Sequence, residues 1–249
     1  MLQTKERGAV AEAFVYHAEN INPQKPQAEK SLFLPIHLIG ADNVLPEDIE
    51  AAVAGIEKAM LAVTGRSWKV TYGVNDLLPS FRGRRENAAL YVKNPVNMNS
   101  GDINAFNLLY SLEFGCDSGD QRVIALVNNR LYDPLTGRRG YFGETYKNGH
   151  SAIVNIGILR GNVNPGILPE TIGREVTHEL GHGLGLEHCE NICSMRFSRT
   201  VYDVFENTVL QEGHGPFCPD CLSKLLPKGI NNNSISEPVI KAQLLPAAV

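Results

Sequence analysis

The segment from residue 177 to residue 189 restricts the fold of this chain more than any other feature of the sequence. Its first two histidines, His178 and His182, are four residues apart, so in a helix they lie on one face, one turn apart. Two imidazoles in this arrangement can bind a single zinc ion. Glu179 lies beside them and could accept a proton from water that attacks a substrate. The spacing therefore predicts a helix that carries two zinc ligands and a general base.

A third histidine follows the predicted end of this helix. Continued helix would carry His188 about 9 Å along the axis from His182 and away from its face. Gly185 lies between them, and glycine readily takes the left-handed conformation that ends helices. The chain can then turn back and present His188 to the same zinc ion. We predict a catalytic zinc site with His178, His182 and His188 as ligands.

The residues around these histidines have the pattern of an amphipathic helix. Pro169 suits the first helical position, and Glu170 suits the positive end of the helix dipole. Apolar residues then recur at intervals of four and predict a buried stripe that faces away from the histidines: Ile172, Val176, Leu180 and Leu184. Gly181 and Gly183 each cost about 1 kcal/mol relative to alanine within a helix. Their presence predicts that another part of the chain passes close to this helix.

Four of the five cysteines lie within 33 residues near the C-terminus, which favours a metal site over disulfides in a reducing compartment. Cys218 and Cys221 have the two-residue gap that lets two thiolates bind one metal ion, and Cys189 and Cys193 supply a second pair. Four thiolates form a closed, structural zinc site. A redox-active pair at Cys218 and Cys221 is the alternative, but it leaves the upstream pair unexplained. Cys116 stands alone and is interpreted as a small buried residue.

The cysteine site adjoins the histidine site in sequence. Cys189 directly follows His188, so their Cα atoms are about 3.8 Å apart. Ser194 and Met195 directly follow Cys193. We therefore predict that the structural zinc holds the third histidine and the floor of the active site in place.

These motifs resemble the archaemetzincins, a family of zinc metallopeptidases. The resemblance rests on residues 178–189, 193–195 and 218–221. It implies a metzincin-like zincin fold with a twisted mixed sheet, long helices and a small irregular C-terminal subdomain. It also implies that Met195 lies in a tight turn beneath the catalytic zinc, and that the activity is weak or aminopeptidase-like on short peptides. The spacing around the cysteines differs from the family pattern, which leaves the loop geometry open.

The rest of the sequence predicts an α/β (α+β) architecture. A strand at 32–39 precedes a helix that has Pro46 in its first turn and Gly65 as its stop. Alternating apolar and polar residues predict a second strand at 68–72, and apolar runs predict two more, at 123–127 and 151–159. We expect the last of them to be an edge strand that holds the substrate.

We expect one metallopeptidase catalytic domain at residues 31–226. It would divide near residue 185 into an N-terminal subdomain and a C-terminal subdomain at 186–226. Residues 1–30 are expected to form a polar lead-in, and residues 227–249 a tail.

Composition and charge exclude several other classes of function. The net charge of −4 argues against nucleic acid as a partner, because phosphate binding needs a concentrated basic surface. No apolar run approaches the roughly 20 residues that cross a bilayer, and the N-terminal stretch lacks the features of a signal peptide. We expect a cytoplasmic protein whose partner is a peptide or protein substrate.

Two other interpretations stay open. A zinc-scaffolded peptide-binding protein with little or no turnover would keep the same fold, although Glu179 would then have no chemical task. A secreted metzincin held together by disulfides would require a signal sequence and paired cysteines, and the sequence favours neither.

Overall fold

The computed structural model describes residues 34–41, 44–68, 70–74, 102–115, 121–133, 137–146, 149–213 and 215–225. The strands of this part of the chain are β1 (Ile36–Gly40), β2 (Val70–Val74), β3 (Ile103–Asn104), β4 (Arg122–Val127), β5 (Leu131–Tyr132), β6 (Gly143–Thr145) and β7 (Ser151–Asn155). The helices are α1 (Pro46–Thr64), α2 (Ala105–Gly115), α3 (Ile156–Arg160), α4 (Leu168–Gly183), α5 (Val201–Gln211) and α6 (Pro219–Leu225). The lead-in at 1–30, the tail at 227–249 and Cys116 lie outside the described residues.

Five strands form one mixed sheet in the order β2-β1-β4-β7-β6. The first four are parallel, and β6 pairs with β7 in the antiparallel direction. The central strand β4 is buried along its whole length, because helices cover both faces of the sheet. Ile124 and Leu126 face the core that includes α1 and α4, whereas Val123, Ala125 and Val127 face α2. The mixed α/β fold predicted from the sequence is confirmed.

Helices α1 and α4 pack directly against one another on one face of this sheet. A Cβ atom at Gly55 would overlap the backbone oxygen of Gly173, so the two backbones approach more closely than alanine would permit. The hydroxyl group of Thr177 donates to the carbonyl oxygen of Gly55 over 3.1 Å. Asp48 of α1 is buried and pairs with Arg160, which ends α3. These contacts fix α4 relative to the sheet.

Residues 151–159, predicted as one strand, divide into β7 and α3. The side chain of Asn155 accepts a hydrogen bond from the backbone N–H of Ile158 and so caps the start of a helix. The prediction that this strand forms an edge is wrong, because β6 lies outside β7 and is the last strand on that side. Strand β6 is three half-buried residues without an apolar run. On this side of the sheet, the edge that a peptide could extend is therefore β6.

Other predicted boundaries agree within a few residues. The first helix begins at Pro46, and Gly65 ends it in the left-handed conformation, as predicted. The strand predicted at 32–39 begins at Ile36, after Pro35, and the strand predicted at 68–72 begins at Val70. Among the described residues, no helix has the length and apolar character that crossing a membrane requires.

We predict that Gly55→Ala lowers the free energy of unfolding by about 1–3 kcal/mol, because the added Cβ atom would push α1 and α4 apart. The loss should occur although alanine favours the helix by about 1 kcal/mol over glycine. Urea denaturation would measure it, with Glu57→Ala on the exposed face of the same helix as control. A Gly55→Ala protein as stable as the wild type would show that the two helices do not meet at this position.

Candidate active site

Helix α4 carries the first two predicted zinc ligands, His178 and His182, and ends before the third, His188. It runs to Gly183, and Gly185 has a φ of 97°, in the left-handed region that favours glycine. The turn brings the His188 ring centroid to 5.3 Å from that of His178 and 4.8 Å from that of His182. The ligand nitrogen atoms of the three histidines lie within 4.8 Å of one another. The structure thus brings the three predicted ligands together.

Backbone carbonyl groups orient two of these imidazoles. His178 Nδ1 lies 2.6 Å from Ser194 O, and His182 Nδ1 lies 2.8 Å from Leu186 O. Because a carbonyl oxygen only accepts, each Nδ1 carries the hydrogen, and each Nε2 keeps a lone pair. The two Nε2 atoms are 3.1 Å apart and cannot hydrogen-bond to one another. Tetrahedral zinc with bonds of 2.0–2.1 Å would separate its nitrogen ligands by about 3.3 Å, so this donor set fits zinc.

The surroundings keep the three imidazoles neutral near pH 7. Burial lowers the pKa of His178 well below its usual value, and the neighbouring His182 and Arg174 lower that pKa further. Burial also lowers the pKa of His182. Burial, together with the nearby His182, lowers the pKa of His188 to about 4. Neutral imidazole is the form that binds a metal ion.

The carboxyl group of Glu179 is buried between α4 and β6, and the residue is 3% exposed. Burial raises the pKa of this carboxyl group well above its usual value, the charge of Glu175 raises it further, and a hydrogen bond with Thr145 lowers it. Thr145 Oγ1 lies 2.5 Å from Glu179 Oε2. A Cβ atom at Gly143 would lie 2.5 Å from Glu179 Oε1, so the glycine leaves space for the carboxyl group. A carboxyl group with a raised proton affinity, on the residue that follows the predicted zinc ligand His178, is suited to proton transfer.

The two glycines near the end of α4 accommodate close neighbours, as predicted. A Cβ atom at Gly181 would overlap Met195 Sδ and lie 3.2 Å from Phe217 Cε1. Met195 is fully buried and lies against Gly181 of the helix, and it is part of a turn, as the resemblance implies. Gly183 packs on Arg122, whose Nη1 donates to the carbonyl oxygen of Gly183 over 2.9 Å. A side chain at position 181 would therefore displace Met195, and one at position 183 would crowd Arg122.

Several residues that hold this site together belong to no recognisable motif. Arg174 Nη2 donates to Arg196 O over 2.8 Å and lies 3.5 Å from Ser194 O, on either side of Met195. Arg174 also pairs with Glu175 at 3.2 Å, and both residues are buried. Two adjacent charged residues in a helix with an apolar stripe are a sequence signal for such a role, because buried charges need partners. The sequence contains no signal for the role of Thr145, because its hydrogen-bond partner, Glu179, is 34 residues away.

The four predicted cysteine ligands also meet. Cys189 Sγ lies 3.7 Å from Cys218 Sγ, and Cys193 Sγ lies 3.9 Å from Cys221 Sγ. A disulfide needs about 2.0 Å, whereas tetrahedral zinc with bonds of about 2.3 Å holds its sulfur ligands about 3.8 Å apart. Asn191 donates N–H groups to the sulfur atoms of Cys189 and Cys218, at 3.4 and 3.5 Å. This geometry fits a closed metal site that uses both cysteine pairs.

Comparison with known proteins agrees with this geometry. The model of peptidase family M54 matches residues 94–226, more than half of the chain. The archaemetzincin of Archaeoglobus fulgidus is 38% identical over 84 residues, which are 34% of this chain and 48% of that protein. The archaemetzincin of Thermococcus kodakarensis is 35% identical over 120 residues, which are 46% of this chain and 60% of that protein. The chain spans about half the length of the curated relatives it matches.

Solved structures share the fold. The crystal structure of archaemetzincin from Methanopyrus kandleri has a TM-score of 0.58 and 26% identity, and the match covers 77% of this chain and 93% of that chain. A zinc-dependent peptidase from Methanocorpusculum labreanum has a TM-score of 0.54 at 19% identity, over 77% of this chain and 100% of that chain; this likeness shows the fold alone. The chain therefore belongs to peptidase family M54, as its resemblance to the archaemetzincins predicted.

Proposed function

We propose that this chain is a zinc-dependent metallopeptidase that hydrolyses peptide bonds of short peptides, in an aminopeptidase-like manner. His178, His182 and His188 would hold the zinc, and Glu179 would be the general base. The observation that carries the proposal is the convergence of the three imidazole groups, whose ligand nitrogens lie within 4.8 Å of one another at the end of the helix that also carries Glu179. Three histidine ligands leave a fourth position free, which distinguishes catalytic zinc sites from structural ones.

The chemistry divides between the metal and the protein. Zinc bound there would polarise the scissile carbonyl group and make water more acidic. Glu179 accepts the proton of the attacking water and passes it to the leaving amine. An extended substrate pairs with the backbone of β6, because that strand is the edge of the sheet nearest the carboxyl group. The substrate backbone then runs past Glu179.

The cysteines and the domain organisation complete the proposal. We infer that Cys189, Cys193, Cys218 and Cys221 hold a second, structural zinc with no free position for a substrate. The catalytic domain occupies residues 31–226. Its subdomains meet near residue 185, where α4 has ended and an irregular segment begins.

We predict that Glu179→Gln lowers kcat/KM for peptide cleavage by about 10²–10⁴-fold, because an amide cannot accept the proton. Zinc-loaded wild type and variant would be incubated with a mixed peptide library, and the products identified by mass spectrometry. Zinc content measured in parallel separates loss of the base from loss of the metal. Glu170→Gln, exposed in the first turn of the same helix, is the matched control.

Equal cleavage by the wild type and Glu179→Gln would contradict the assignment of the base. If no protein of the series cleaves peptides, although zinc and peptide are bound, the alternative of a zinc-scaffolded peptide-binding protein is favoured.

The cysteine cluster is attached to the histidine site at two points. Cys189 follows His188, and its N–H donates to Met195 O over 2.9 Å. Cys193 precedes Ser194, whose carbonyl oxygen lies 2.6 Å from His178 Nδ1. A displaced cysteine loop would therefore move the third histidine and the hydrogen-bond partner of the first.

We predict that Cys221→Ser, a change on α6 away from the histidine segment, lowers the zinc affinity of the histidine site about 10–100-fold. This is the range for loss of groups that orient metal ligands. Cobalt substitution would distinguish thiolate from imidazole coordination by absorption spectra, and competition with a chelator would give the affinities. Ser223→Ala on the same helix is the control. Unchanged affinity of the histidine site would show that the two sites are independent.

A further inference from the structure

Two residues of the edge strand β6 contact the Glu179 carboxyl group from the same side. Side chains alternate along a strand, so Gly143 and Thr145 face α4. Thr145 Oγ1 lies 2.5 Å from Glu179 Oε2. At Gly143, a Cβ atom would lie 2.5 Å from Glu179 Oε1 and 2.7 Å from Glu179 Cγ. The carboxyl group therefore lies against β6: its Oε2 atom is hydrogen-bonded to Thr145, and the missing side chain of Gly143 leaves space for its Oε1 atom.

The hydroxyl group of Thr145 meets Glu179 at two points. Besides the carboxyl contact, Thr145 Oγ1 lies 2.9 Å from the backbone oxygen of Glu179. The single hydrogen of the hydroxyl group is donated to one acceptor at a time, and the shorter contact, 2.5 Å, is the one to Oε2. The same hydroxyl group thus lies against both the backbone and the carboxyl group of Glu179. A glutamate side chain has three rotatable bonds and samples several rotamers unless its tip is held. The hydroxyl group therefore determines where the carboxyl oxygens lie.

We propose that Thr145 is a positioning residue for the general base: its hydroxyl group holds Glu179 Oε2 against β6, and Gly143 supplies the space for Oε1. This inference rests on the proposed function of Glu179. Strand β6 then has two tasks, because the edge that pairs with the substrate backbone also fixes the carboxyl group relative to that backbone.

The test compares Thr145→Val, which removes the hydroxyl group at nearly constant volume, with Thr145→Ser, which retains it. In zinc-loaded full-length protein we expect Thr145→Val to lower kcat about 10–100-fold, because a displacement of about 1 Å at a catalytic group costs up to about 10²-fold. The KM should change less than about threefold, and Thr145→Ser should stay within about threefold of the wild-type kcat. Zinc content and the thermal midpoint are measured for each protein.

Two further variants sharpen the comparison. Gly143→Ala keeps the hydroxyl group but directs a methyl group at Glu179 Oε1, so it should lower kcat like Thr145→Val. It also decides the question if Thr145→Val does not fold. Thr71→Val is the matched control, since Thr71 is on β2 at the opposite edge of the sheet and its hydroxyl group donates to Ile36 O. Its kcat should equal that of the wild type.

An unchanged kcat in Thr145→Val, equal losses in Thr145→Val and Thr145→Ser, or a rise in KM alone would overturn the proposal. If the wild type cleaves no peptide, the proposed function fails, and crystal structures of zinc-loaded wild type and Thr145→Val decide the positioning role. A Glu179 carboxyl group displaced from Gly143 in the variant supports that role, and an unmoved one overturns it.

Discussion

Neighbouring groups pack directly against the backbone of helix α4 at three of its glycines, and the rest of the structure depends on that fit. Gly173 meets α1, Gly181 meets Met195, and Gly183 meets Arg122. Protein interiors are packed as densely as organic crystals, so this helix cannot shift without displacing all three neighbours. Tertiary contacts therefore hold a helix of weak intrinsic propensity rigidly enough to present two imidazoles at a fixed separation.

The histidine site is assembled from two parts of the chain that meet only in the folded protein. Helix α4 supplies two imidazoles and the carboxyl group, and the segment after it supplies the third imidazole and the carbonyl groups that fix the tautomers. Arg174 joins the parts, since its guanidinium group contacts the backbone on both sides of Met195. Its pairing with Glu175 compensates the buried charge. The helix that bears the ligands also anchors the loop that orients them.

Sequence predicted the local parts of the site better than the parts assembled over long distances. The histidine and cysteine groups were visible because zinc binding needs particular residue types at short spacing. Strand β6 was missed because three half-buried residues carry no apolar pattern, and the partner of Thr145 depends on how that strand pairs. The strand predicted at 151–159 is longer than the observed β7, because an apolar run alone does not distinguish a strand from a buried helix. The capping role of Asn155 was the local signal for the change.

The order of these residues along the chain has a consequence for biosynthesis. Polypeptides are made from the N-terminus, and some of the residues that support the three histidines and Glu179, among them Met195 and Phe217, follow them in the chain. A nascent chain that stops before Phe217 already contains every reacting group, but it lacks part of the packing against Gly181 and the second cysteine pair. Helix α6 is the last described element to leave the ribosome. The cysteine cluster and the packing against Gly181 can therefore be completed only after helix α6 has been made.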